Sequence, residues 1–253
     1  MYSTNLNFAD SGHIERKKML VFSLALNGYE RLYASYLNSH RTYAERLDAD
    51  YVAVTHPRLT LLGVECCWLK IYLIEKALDA GYETVLFIDA DAYVQNTAPD
   101  IRTHFHNNKT FYLVKGYSGE FNSGVILVRK HSTSRALIKQ IIDYRFVAKE
   151  QKVGWGENDS VIAATKGVGC VYELTTHWNN TFDTILNDYI RHLNHGPLRK
   201  SSKKKLFHRC LSRATKLLWW VTKLLPQKQR EALIVHMTER VLSKILKRYP
   251  HFQ

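Results

Sequence analysis

The chain has 253 residues, 45% hydrophobic and 23% charged. That is the composition of a folded globular protein with room for a sizeable core, and it excludes a disordered chain. The formal charge of +13 is unevenly placed, because residues 201–253 hold thirteen of the 36 Lys and Arg but only two of the 23 acidic residues, which argues against a general nucleic-acid-binding surface and for a basic tail with its own partner.

No window approaches twenty apolar residues, so no transmembrane helix is expected. The first twenty residues, MYSTNLNFADSGHIERKKML, contain no apolar stretch of signal-peptide length, so export is not expected either. Cys66, Cys67, Cys170 and Cys210 show neither a pairing framework nor zinc spacing, and a reducing, cytoplasmic setting follows.

Residues 19–26, MLVFSLAL, read as a first buried strand, 29–47 as a helix with Tyr36, Tyr43 and Leu47 on one face, and 50–54 as a second strand. Ile71, Leu73, Ile74, Ala77 and Leu78 recur at helical spacing within 68–80, and Gly81 supplies a stop. The continuous apolar run Val85–Ile88 has the pattern of a central strand buried on both faces. Strands are also expected at 110–114 and 124–128, and a helix at 134–146. The polar stretch VGWGENDS precedes the apolar residues 161–164, and 174–200 is irregular. Alternation of strand and helix predicts an α/β domain over residues 1–200, built on a mixed, mostly parallel sheet flanked by helices, and followed by a basic helical tail at 201–253.

The chemistry concentrates where the apolar run ends in Asp89 and Asp91. Ligands of open α/β sheets bind beyond the carboxyl ends of the strands, so this pair is expected to face a crevice. A divalent cation bridging to a nucleotide diphosphate would supply the charge that paired carboxylates lack there. A plain capping role for the two aspartates is the competing reading.

Four segments in this order, 42–54 (TYAERLDADYVAV), the WLKIYLIEKAL helix with VLFIDADAYVQN, 121–130 (FNSGVILVRK) and 156–162 (GENDSVI), resemble the GT-A class of nucleotide-sugar-dependent glycosyltransferases. The likeness is narrower to the glycogenin-like and yeast galactosyl/mannosyltransferase-like families, and it covers roughly residues 19–200. The resemblance implies a GT-A (Rossmann-like) fold, a nucleotide-sugar donor (a UDP-sugar), and Mn²⁺ or Mg²⁺ as cofactor. Asp89 would lie by the ribose and metal, with Asp91 as a direct metal ligand. A histidine near a glycine would be the third ligand, and here His195 or His192 is available, His195 being favoured. Lys200 and Arg199 sit where a basic residue would reach the diphosphate, with Lys70 a second candidate. Asn122, Glu157 and Asp159 are placed around donor sugar and acceptor. The families are retaining, which makes Asp159 a positioning or stabilising group. Trp155 and Trp178 read first as core or stacking surface, with an acceptor platform as the second role.

In the tail, Lys205, Arg209, Arg213, Lys216 and Lys223 fall on one helical face, and Leu206, Cys210, Ala214, Leu217, Val221 and Leu224 on another, with Trp219 and Trp220 near the borders. Pro226 ends or kinks this helix, and 229–248 repeats the pattern. That arrangement suits a helix in an anionic membrane interface, or else a helical pair packed on the domain. The expected protein is a hexosyltransferase acting on a glycan or glycolipid acceptor, such as lipopolysaccharide or capsule, at the inner face of the membrane. A sugar nucleotidyltransferase would need a glycine-rich basic loop that LALNGYERLY lacks. A non-catalytic basic membrane-binding protein would explain only the tail.

Overall fold

The computed structural model describes residues 18–146, 156–193, 198, 215 and 217–253. Its strands are β1 (Met19–Leu24), β2 (Asp50–Val54), β3 (Thr84–Ile88), β4 (Ala92–Val94), β5 (Phe111–Lys115), β6 (Phe121–Arg129), β7 (Val171–Leu174) and β8 (Ile190–His192). Six of them form one sheet in the order β2-β1-β3-β6-β5-β7. The pairs β1/β2, β1/β3 and β5/β7 are parallel, and β6 runs antiparallel to both its neighbours. The sheet is therefore mixed, as expected, with β6 as the reversed strand.

The helices are α1 (Tyr29–Leu32), α2 (Ala34–Arg46), α3 (Glu65–Asp79), α4 (Ser132–Asp143), α5 (Asn158–Thr165) and α6 (Gln227–Leu246), and residues 217–222 are also helical. Side chains alternate across a strand, and here alternate residues serve two cores. Leu20, Phe22, Val85 and Phe87 join the core packed by α3 to α6. Met19, Val21, Leu86 and Ile88 join the one closed by Tyr43 and Leu47 with β4, β8 and Trp178. Every residue of β3 is buried, which explains its unbroken apolar run.

Several boundaries differ from the expected ones. The single helix over 29–47 is interrupted at Tyr33, whose φ of −116° and ψ of 30° leave helical geometry. The strand expected at 124–128 begins at Phe121, because Phe121 and Asn122 pair with Lys115 and Val114. The segment over 174–200 contains β8, a three-residue strand paired antiparallel with β4.

In the C-terminal region, α6 packs on α3 and buries Ile234, Met237, Val241 and Ile245. Phe252 stands edge-on to Phe22 with ring centroids 5.4 Å apart, and the Tyr249 hydroxyl accepts from the Thr55 and His56 amides. Residues 227–252 thus share the core of the sheet. The boundary expected at 201, and most of the helix expected at 205–225, lie outside the described residues. Among the described residues no helix is long and apolar enough to cross a membrane.

Candidate metal centre

β3 ends at Ile88, and the chain turns at once: the Asp89 amide donates to the Gly124 carbonyl (2.7 Å) and the Ala92 amide to the Asp89 carbonyl (3.0 Å). β4 then pairs antiparallel with β8 in a register that sets Ala92 opposite His192, and the Leu193 amide donates to the Asp91 carbonyl. This brings together one atom each of Asp89, Asp91 and His192, all within 4.8 Å of one another. His192 Nε2 lies 3.2 Å from Asp91 Oδ1 and 3.8 Å from Asp89 Oδ2. His192 is the histidine that meets the aspartates; His195, Arg199 and Lys200 lie outside the described residues.

The tautomer of His192 follows from a chain of hydrogen bonds that begins at the backbone. The Gly124 amide can only donate, so the atom of Asn122 that it meets at 2.9 Å is the carboxamide oxygen. That oxygen also accepts from Asn179 Nδ2 at 2.9 Å, which turns Asn179 Oδ1 towards His192 Nδ1, also at 2.9 Å. Nδ1 therefore carries the hydrogen, and in the neutral ring Nε2 presents its lone pair to two carboxylates. Nε2 is buried and has no hydrogen-bond partner among the described residues. A buried lone pair facing carboxylates fits a cation between them, and an imidazole oriented through its far nitrogen is the usual outer shell of a metal ligand. Two carboxylate oxygens and one imidazole nitrogen form a donor set suited to a divalent ion such as Mn²⁺.

The charges agree. Lys70 Nζ lies 2.8 Å from Glu157, 3.2 Å from Asp89 and 3.2 Å from the Ser123 carbonyl. With a cation on Nε2 in place of a proton, three carboxylates, Asp89, Asp91 and Glu157, would face one ammonium and a neutral imidazole, leaving two negative charges, the amount that a divalent cation supplies. Burial depresses the Lys70 pKa, but Asp89 and Glu157 outweigh it and the net shift is upward, so Lys70 stays charged. Burial raises the Asp89 carboxyl against the pull of Lys70 and His192, whereas Asp91 ends below its ordinary value because His192 outweighs burial. For His192, burial lowers the pKa and Asp91 and Asp89 raise it further, so the net is upward. The field that favours a proton there is the field that a cation would meet.

Glycine at 124 is dictated by this packing. A Cβ at that position would fall 2.1 Å from His192 Cε1 and 2.5 Å from Nδ1, so the FNSG stretch makes room for the ligand ring. Below it, Ser123 Oγ donates to Glu157 (2.6 Å), and the Ser123 amide donates to Asn158 Oδ1 (2.8 Å). These bonds tie the start of β6 to the acidic segment that opens α5. Asp159 stands in the first turn of α5, two residues beyond Glu157.

Sequence reading did not find the supports Asn179, Asn158, Ser123 and His40. His40 is buried, donates Nε2–H to the Ala92 carbonyl (2.6 Å) and accepts from Ser23 Oγ (2.8 Å), fixing the turn that carries Asp91. A row of tyrosines was also missed: Tyr29, Tyr33, Tyr36 and Tyr93 follow one another, tilted or edge-on, with ring centroids 5.3–5.5 Å apart from the β1–α1 turn to β4. Trp178 is fully buried against Tyr43 and Tyr189, so it is core and cannot be an acceptor platform. Trp155 lies outside the described residues.

A glycosyltransferase involved in glycosylation of the major capsid of PBCV-1 superposes with a TM-score of 0.56, over 79% of this chain and 98% of that one, at 13% identity. The chain has a GT-A fold. The galactosyltransferase LgtC, solved with donor and acceptor sugar analogues, gives 0.46 at 12% identity over 84% of this chain and 99% of that one. The apo form of GlyE of Streptococcus pneumoniae gives 0.48 at 16% identity, over 90% and 64%. No family model and no curated sequence matches the chain. On this GT-A fold the aspartates stand at the carboxyl end of β3, and Lys70 is bonded to Asp89.

Proposed function

We propose that the protein is a metal-dependent glycosyltransferase that moves a hexose, with retention, from a UDP-sugar to a glycan or glycolipid acceptor such as lipopolysaccharide or capsule. The observation that carries this reading is the orphaned His192 Nε2 facing Asp89 and Asp91 at the carboxyl end of β3 on a GT-A fold. Asp89, Asp91 and His192 would hold Mn²⁺ or Mg²⁺, which acts as a Lewis acid towards the diphosphate leaving group.

The chain's own residues have separable tasks. Lys70 holds the Asp89 carboxylate in place and keeps a positive charge beside the departing diphosphate. Glu157 is 3% exposed and engaged by Lys70 and Ser123, which suits a group that positions Lys70 rather than a general base. The Asn122 oxygen is committed to Gly124 and Asn179, so any contact with the sugar goes through its nitrogen. Asp159 remains a stabilising group for the retaining reaction, and Arg199 and Lys200 complete the diphosphate contacts. In the row of tyrosines, Tyr29, nearest the β1–α1 turn, offers an aromatic ring to the nucleoside. Further along the same rim, at the ends of β5 and β7, a 350 Å³ pocket lined by Lys115, Thr175, His177, Phe182 and Asp183 is the place for an acceptor sugar. The basic tail attaches the enzyme peripherally to the anionic inner face of the membrane, on the cytoplasmic side.

The test is donor binding and slow donor hydrolysis against a panel of UDP- and GDP-sugars, with Mn²⁺ or with chelator. Metal-dependent turnover of one donor, lost in Asp91→Asn and in His192→Ala, is expected. A folded protein that binds no donor with metal present would make the aspartates structural.

A further inference from the structure

Among the described residues ten large hydrophobic side chains are exposed, and eight of them come from two short segments: Leu59 and Leu61 after β2, and the run 217–225 around Trp220. The segments lie side by side. A Cβ on Gly63 would come 3.9 Å from the Thr215 Cβ, and Leu62 and Trp219 pack into one cluster with Val64, Trp68 and Ile234. Leu62 and Trp219 are the inward residues, so Leu59, Leu61 and Trp220 are outward on a shared surface.

The exposure of the two leucines is built in. The Asn27 amide donates to the Arg58 carbonyl at 2.9 Å. The Thr60 amide donates to Asn27 Oδ1 at 2.8 Å, and Asn27 Nδ2 to Thr60 Oγ1 at 2.9 Å. Thr60 is thereby held inward at 5% exposure, and its neighbours stand 53% and 55% exposed. The loop cannot fold its leucines under without breaking these bonds. The charge of the two segments has one sign: residues 58–62 and 217–230 contain Arg58, Lys223, Lys228 and Arg230, and no Asp or Glu.

We propose that loop 58–62 and residues 217–225 form one face that seats on an anionic lipid bilayer, so that the catalytic body supplies a second membrane contact beside the tail. This rests on the membrane reading above and deepens it. Apolar side chains with a tryptophan, rimmed by cations, match the depth profile of a bilayer interface. A second copy of the chain is a poorer occupant, because a self-complementary contact would set four cations against four. The loop is tied to Asn27, just beyond the end of β1, and β1 pairs with β3 about 4.8 Å away. Docking through this face therefore brings the rim that carries Asp89 close to the lipid surface, where a lipid-linked acceptor presents its sugar.

The experiment is co-sedimentation of the full chain with phosphatidylglycerol-containing vesicles and with pure phosphatidylcholine vesicles. The variants are L59S/L61S, L61S alone, W220S/L224S and, as an exposed residue outside the face, I185S. Binding to the anionic vesicles is expected to fall about tenfold in L59S/L61S and about threefold in L61S, and to be unchanged in I185S. Circular dichroism and Mn²⁺ binding should stay as in the parent. If L59S/L61S binds like the parent while W220S/L224S does not, the loop contact is overturned and the tail reading stands. If the parent binds no vesicle, both fall, whatever its donor hydrolysis. A concentration-dependent dimer abolished by L59S/L61S, with no vesicle effect, would assign the face to a second copy instead.

Discussion

Gly124 shows how closely the site is set by single residues. Alanine there would place its methyl carbon 2.1 Å from the His192 ring, so the ring must swing and lose its bond to Asn179. Gly124→Ala is expected to weaken Mn²⁺ binding about 10- to 100-fold, and Asn179→Leu to do the same by freeing the ring. Calorimetric titration with Mn²⁺ checks both, and parent-like affinity in both variants would remove His192 from the metal site. His40 makes a different prediction. Burial lowers its pKa from 6.5 to about 4, only partly opposed by its bond to Ala92. Between these values the unfolded chain binds a proton that the folded chain refuses. Stability from this residue is therefore complete above pH 6.5 and falls as pH drops to about 4, by about 3 kcal/mol. Urea unfolding at a series of pH values should show that slope in the parent and a shallower one in His40→Gln. At this scale Asp89 and Asp91 were legible, since two carboxylates ending a buried strand have few uses. Spacing to a glycine left both His192 and His195 open; the β4/β8 register brings His192 to the aspartates, and His195 lies outside the described residues. Asn179 carried no signal, because its role exists only once His192 is in place.

The elements meet at Lys70. It projects from α3 to Asp89 after β3, to the Ser123 carbonyl in β6, and to Glu157 ahead of α5. Lys70 and Glu157 side chains are 7% and 4% exposed, so removing one charge strands the other in the interior. Lys70→Met is expected to cost about 3–5 kcal/mol of stability, and adding Glu157→Gln to restore about 1–2 kcal/mol of it. Equilibrium unfolding of the four-membered cycle reads this out. Costs that simply add would mean the two residues do not depend on one another. In sequence Lys70 was attached to phosphate chemistry only through resemblance. Its burial depends on the packing of three other elements, which no window along α3 contains. β3 and α3 themselves were readable, because a five-residue apolar run and a helical period are local signals. β4 and β8 were not, since a three-residue strand has too little length for a period.

Across the whole molecule, the described part of the basic C-terminal region serves the architecture, beside the attachment proposed above. Its hydrophobic pattern is continuous in the sequence, and both a membrane helix and a packed helix satisfy that pattern; what separates them is whether a neighbour covers the apolar face. Over α6 the neighbour is α3, and the end of the chain is locked in by Phe252 against Phe22 and by Tyr249 against the end of β2. Phe252 is 1% exposed in the same core cluster as β1 and β3. Truncating it leaves a cavity beside the central strands, and Phe252→Ala is expected to cost about 3–5 kcal/mol. Because the last residues and the sheet share one core, that loss should appear as a shift of a single transition, with tryptophan fluorescence and far-ultraviolet dichroism coincident in urea. An early, separate transition that Phe252→Ala moves while the main one stays fixed would show α6 folding as an appendage. The proposed membrane face would then have no rigid connection to the candidate metal centre. A single shifted transition would mean that the surface carrying Trp220 and the rim carrying Asp89 belong to one rigid body, as orienting the site towards a bilayer requires.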